Sequence, residues 1–152
     1  MLTDATRLCH ASEVAEDEAL CVPAPAAAPT PGEPWFLVRH GGRLYGYRDD
    51  CPHIPGSPLA WRRHAYLSGD HQRIVCHAHG AQFEIATGHC VIGPCVGLSL
   101  TAIPLALAPD GSVHFDSNAP HPQHPPHPPH ASSASNGPYS RITLTKDSRR
   151  QP

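Results

Sequence analysis

Two short clusters constrain this chain more than anything else in it: Cys51-Pro52-His53 and Cys76-His77-Ala78-His79. They read C-x-H, then a gap of 22 residues, then C-x-x-H. Each arm offers one thiolate and one imidazole, ligand types that transition metals take from proteins. Paired this way, they suit a metal centre with two unlike halves, one held by sulfur and one by nitrogen. Any fold for this chain has to bring two separated segments to one place and hold them there.

The sequence around the arms supplies rigid supports. Trp35-Phe36-Leu37-Val38-Arg39-His40 is rich in aromatic and branched residues and predicts a strand. Gly41-Gly42 is a two-residue hairpin signal, and Leu44-Tyr45-Gly46-Tyr47 returns the chain into Cys51. Arg73-Ile74-Val75 predicts a short strand ending at Cys76. Gln82-Phe83-Glu84-Ile85 predicts another, with Phe83 and Ile85 on one face. Leu8-Cys9-His10 and Ala19-Leu20-Cys21-Val22 read as strands with the acidic stretch Glu13 to Glu18 between them. Leu98 to Leu107 and Ser112-Val113-His114-Phe115 close the pattern across an Asp110-Gly111 turn. The Pro-dense stretch 23–32 and Gly56-Ser57-Pro58-Leu59 read as loop and turn, and Arg62 to Gln72 as a polar surface connection. Many short strands at close spacing, without a long helical period, predict an all-β sandwich or small barrel.

Beyond Asp116 the character changes. Much of the chain's excess of 19 Pro and 13 His gathers there, with too little apolar content to offset the entropy of ordering. The expected organisation is one domain over residues 6–115 and a Pro/His-rich tail, expected to be disordered, over 117–152. His121, His124, His127 and His130 recur every three residues, so polyproline II would align them on one face. They read as a solvated spacer rather than a weak metal stripe. Tyr139 to Thr145 is a candidate short strand with no evident partner.

A formal net charge of −2 gives no electrostatic reason to expect nucleic acid or an anionic membrane as partner. No apolar run approaches the length of a membrane helix. Residues 1–18 lack a basic region followed by an apolar stretch, so a cytoplasmic protein is expected. Of the six Cys, Cys9, Cys21, Cys90 and Cys95 lie outside the two arms. In a reducing compartment their default is buried or partly buried free thiol. His10, His40, His64, His71, His89 and His114 are expected at the surface, and Asp49 and Asp50 in solvent. No Ser-His-Asp spacing and no phosphate-cradling Gly loop appears, and catalysis by the chain itself is not expected.

One structural Zn²⁺ could also take Cys51, His53, Cys76 and His79. Zinc fingers, however, put both Cys in one arm and both His in the other, whereas each arm here mixes the types. The flanks reach further. Cys51-Pro52-His53, Pro58-Leu59, Cys76-His77-Ala78-His79-Gly80-Ala81-Gln82-Phe83-Glu84-Ile85-Ala86-Thr87-Gly88 and Gly93-Pro94 follow one another. Together they resemble the Rieske ferredoxin family, whose pattern runs C-P-H, P-L, C-P-x-H-G-x-x-F-x-x-x-T-G, G-P. His77 stands where Pro is common, at a position that is not a ligand in the family. The resemblance covers about residues 6–115.

The resemblance implies a β-sandwich base with an inserted two-loop subdomain and one [2Fe–2S] cluster. Cys51 and Cys76 would hold the inner iron, and His53 and His79 the outer, solvent-facing iron. It implies a one-electron carrier whose partners are a reductase and an oxygenase or similar enzyme. A small Rieske-type subunit of a larger oxidoreductase, such as nitrite reductase, is the alternative. A zinc-stabilised interaction module is the alternative from another class. His77 is expected to be an exposed decoy. High-potential members join the two loops by a disulfide, at positions that are Gly56 and Ala78 here. They also carry Ser and Tyr donors to the sulfurs, at positions that are Ala81 and Phe83 here. The expected potential is therefore at the low end of the Rieske range of about −150 to +300 mV. Gly93-Pro94 matches the family's covering loop, and Cys90 and Cys95 beside it are either packed thiols or a local disulfide.

Overall fold

The segment Pro34–His40 is buried on both faces over Trp35, Phe36, Leu37 and Val38. Side chains alternate across a strand, so it feeds two separate cores. Phe36 and Val38 enter one, and Trp35 and Leu37 the other. The computed structural model describes residues 2–119, and the candidate strand and His stripe beyond them lie outside the described residues. The strands are β1 (Arg7–His10), β2 (Glu18–Pro23), β3 (Pro34–His40), β4 (Arg43–Arg48), β5 (Arg73–Cys76), β6 (Ala81–Glu84), β7 (Cys90–Ile92), β8 (Leu105–Leu107) and β9 (Ser112–Phe115). Among the described residues the only helical pieces are 3₁₀ turns at Asp4–Thr6 and Ala11–Glu13. No helix there is long and apolar enough to cross a membrane.

Three small antiparallel sheets result, in the orders β1-β9-β8, β2-β3-β4 and β5-β6-β7. The hairpin β3–β4 keeps an unbroken register from Trp35↔Arg48 to His40↔Arg43. Gly41 and Gly42 turn it with φ of +58° and +74°, the paired positive values that a two-residue hairpin requires. The first two sheets join through the chain beside β4. Arg48 N–H donates to Thr101 O at 3.0 Å, and Ile103 N–H donates to Gly46 O at 2.8 Å. One core, including Cys9, Val22, Trp35, Leu37, Val113 and Phe115, lies between these sheets. The other joins β3 and β4 to the third sheet through Phe36, Tyr47, Tyr66, Ile74, Phe83 and Leu100.

Three expectations need correction. The strand expected over Leu98 to Leu107 forms only as Leu105–Leu107. Pro104 lacks the N–H needed to continue a ladder, and the stretch before it makes only isolated bridges, Tyr47↔Ala102 and His89↔Ser99. The polar connection 62–72 contains Tyr66, which is fully buried and stacked on Phe36 with ring centroids 4.0 Å apart at 7°. His114 is buried in β9, where its Nδ1 pairs with the Thr6 hydroxyl at 3.1 Å.

Candidate metal centre

The first arm lies on a loop that leaves β4 and folds back on itself. Cys51 N–H donates to Ser57 O at 2.8 Å, and Ser57 N–H donates to Ile54 O at 3.1 Å. The two carboxylates just before the arm hold the loop rather than standing in solvent as expected. Asp50 Oδ1 accepts from Gly56 N–H at 2.6 Å. Asp49 Oδ1 accepts from Leu59 N–H at 2.7 Å, and its Oδ2 accepts from the Tyr66 hydroxyl at 2.9 Å. Asp49 thus fastens both ends of the first loop to the buried ring of Tyr66.

The second arm is the turn joining β5 to β6. His79 and Gly80 N–H both point to Cys76 O, at 3.3 and 2.8 Å. Gly80 takes φ +71°, a conformation that L side chains rarely adopt. One backbone bond ties the arms directly, His77 N–H to Leu59 O at 2.9 Å. A third loop follows β7 and presses on the base of the second arm. A Cβ at Gly93 would lie 2.9 Å from Ala81 Cα, and its φ is +96°, so only glycine allows this approach.

These loops gather the four expected ligands unequally. Cys51 Sγ, Cys76 Sγ and a ring nitrogen of His79 all lie within 4.8 Å of one another. Cys76 Sγ is 3.2 Å from His79 Nδ1. Both sulfurs belong to fully buried residues. His53 is exposed and stands outside this close group, its ring centroid 5.0 Å from that of His79 at 77°. Two thiols at the buried end and two imidazoles at the outer end are a donor set that fits a two-iron centre.

The Cys76 thiol resists ionisation without metal. Burial pushes the Cys76 thiol up, and the neighbouring Cys51 sulfur adds to this, while the backbone N–H groups of His79 and Ala78 oppose it. Burial also pushes the Cys95 thiol up to about 12, with Cys51 the next cause. Metal entry has to displace protons from the ligating thiols.

His77 is exposed and faces the Trp61 ring, with centroids 6.4 Å apart. Ala81 and Phe83 are buried at the root of the second arm and bring no hydroxyl to it. Cys90 and Cys95 are free thiols in the same core as Cys51 and Cys76. Cys95 Sγ lies only 3.7 Å from Cys51 Sγ. Its place next to Gly93-Pro94 was the only sign of this in the sequence, since 44 residues separate it from Cys51.

The family model described as Rieske [2Fe–2S] domain matches residues 4–104. No curated protein matches by sequence. Among solved structures, the Sphingomonas yanoikuyae B1 ferredoxin is 25% identical with a TM-score of 0.56, covering 72% of this chain and 95% of its own. The ferredoxin of carbazole 1,9a-dioxygenase from Nocardioides aromaticivorans IC177 is 17% identical with a TM-score of 0.55, covering 74% and 97%. The terminal oxygenase of carbazole 1,9a-dioxygenase from Novosphingobium sp. KA1 is 21% identical with a TM-score of 0.58 over 84% of this chain, but only 34% of the oxygenase is spanned.

Proposed function

The chain belongs to the Rieske [2Fe–2S] domain family, and from that premise we propose that it is a one-electron carrier whose cluster is held by Cys51, His53, Cys76 and His79. The observation that carries this reading is the donor set itself: two buried thiols, Cys51 and Cys76, with the half-buried His79 beside them and the exposed His53 next to His79. Residues 6–115 form the carrier domain in this reading, and 117–152 are an appended tail. The bound cluster supplies reversible one-electron chemistry. The protein's own residues do the rest. Cys51 and Cys76 anchor the buried side, away from water. His53 and His79 bring the outer edge to the surface and shorten the distance to a docked partner.

The surface around that edge suits docking. Ile54, beside His53, is 46% exposed, and Val96, beside Cys95, is 53% exposed. Pro55 and Pro94 flank them and are exposed as well. Apolar side chains of this kind cover a contact with little ordering cost. One ferredoxin of similar fold is named for carbazole 1,9a-dioxygenase, and the partners in this reading are a reductase and a terminal oxygenase. A cytoplasmic setting accords with six free thiols. Without hydroxyl donors at Ala81 and Phe83, the potential lies at the low end of the Rieske range, below about +100 mV.

Voltammetry of anaerobically purified protein tests the carrier reading. A reversible wave of one electron, at a low midpoint, is expected. A colourless protein with no wave, or with zinc in place of iron, would overturn it.

A further inference from the structure

A third buried sulfur touches the sulfur-ligated side of this centre. Cys95 is fully buried, as is Cys51, and their Sγ atoms are 3.7 Å apart, within hydrogen-bonding range for sulfur. Nothing in the family pattern asks for a cysteine at this position. We propose that the Cys95 thiol donates a hydrogen bond to the ligand sulfur of Cys51 and so raises the reduction potential of the centre.

The direction of the bond follows from who owns the proton. As a ligand, Cys51 has given up its proton and can only accept. Cys95 has no ligand role here and keeps its S–H. With the Cys51 proton displaced by the metal, Cys95 is the partner in this contact that still carries a proton to donate. Cys90 is the other sulfur beside Cys95. It is a neutral thiol whose own proton is directed to Ile92 O at 3.2 Å. Between a neutral thiol and a ligand thiolate, the charged acceptor makes the stronger hydrogen bond. The loop is rigid enough to keep the geometry. Leu98 N–H closes it on Cys95 O at 2.8 Å, and Gly93 packs directly against Ala81.

A donor to ligand sulfur matters more after reduction, because the added electron raises negative charge on the sulfurs. Cys95 therefore favours the reduced form. It partly replaces the hydroxyl donors missing at Ala81 and Phe83. The proton stays on Cys95 throughout, and the single electron comes from and returns to the redox partners.

The inference rests on the carrier reading, and the experiment separates the two. Full-length wild type, Cys95→Ala and Cys95→Ser are loaded, assayed for iron and sulfide, and titrated by visible circular dichroism. Cys95→Ala should shift the reduction equilibrium about three- to tenfold toward the oxidised form, where tenfold is about 59 mV for one electron. Cys95→Ser, which keeps a donor, should recover most of the loss. In wild type, the infrared S–H stretch should move to lower frequency on reduction, and that band should vanish in both variants. Should Cys95→Ala fail to load, the serine variant and the wild-type S–H band still decide. Midpoints equal in all three proteins, or an S–H stretch unmoved by reduction, overturn the inference while the carrier reading stands. Wild type without iron and sulfide overturns both.

Discussion

Replacing Tyr66 by Phe isolates the contact that holds the first loop. The ring stays, stacked on Phe36 at 4.0 Å, and only the hydroxyl that reaches Asp49 Oδ2 at 2.9 Å is lost. A hydrogen bond to a charged group contributes about 1.5–3 kcal/mol net. Asp49 is half-buried and water can reach part of its carboxylate, so the lower end applies, about 1.5 kcal/mol. For a folded unit of this size, that lowers the melting midpoint by about 6 °C. Tyr66→Ala also loses the ring and should cost about 3–5 kcal/mol. The assay is visible circular dichroism of the loaded protein, heated at one fixed scan rate beside wild type. Asp49→Asn completes a double-mutant cycle, and a coupling of about 1 kcal/mol between the two positions is expected. If Tyr66→Phe melts within 1 °C of wild type, or the two substitutions are additive, the anchoring role argued for Asp49 is wrong.

Other perturbations read different parts of the site. His53→Ala and His79→Ala should each abolish the visible spectrum of the cluster, whereas His77→Ala should leave it unchanged; absorption spectra of the three variants check this. Ala81→Ser introduces a hydroxyl at the root of the second arm. One net hydrogen bond of about 1 kcal/mol raises a one-electron midpoint by about 40 mV, a shift that voltammetry resolves. Gly93→Ala puts a methyl 2.9 Å from Ala81 Cα at φ +96° and should destabilise the loaded protein by about 1–3 kcal/mol, seen as faster bleaching in denaturant. Removing residues 117–152 should leave the visible bands and the midpoint intact, and bleaching on truncation would move the domain boundary.

The strands that support the site were legible because their signals are local. Gly41-Gly42 between two aromatic-rich runs specifies a hairpin from four or five residues on either side. The mixed arms were legible because ligand type and spacing survive without knowledge of the fold. What stayed hidden depends on the chain returning to itself. Asp49 and Asp50 look like a solvated pair until the loop brings Gly56, Leu59 and Tyr66 back to them. Tyr66 sits among Arg, His and Ser residues, and only the stack on Phe36 reveals it as core. β7 is three residues long, too short for an alternation to register. His114 lies on the central strand of its sheet, where all four residues of β9 are buried, against the usual inside–outside alternation.

Pulsed EPR of the reduced protein, grown with ¹⁵N-labelled histidine, tests the mixed ligation most directly. Four buried thiols crowd this core, so an all-sulfur cluster is the natural competitor. Strong couplings from two histidine nitrogens are expected. A paramagnetic cluster with no histidine coupling would contradict mixed ligation.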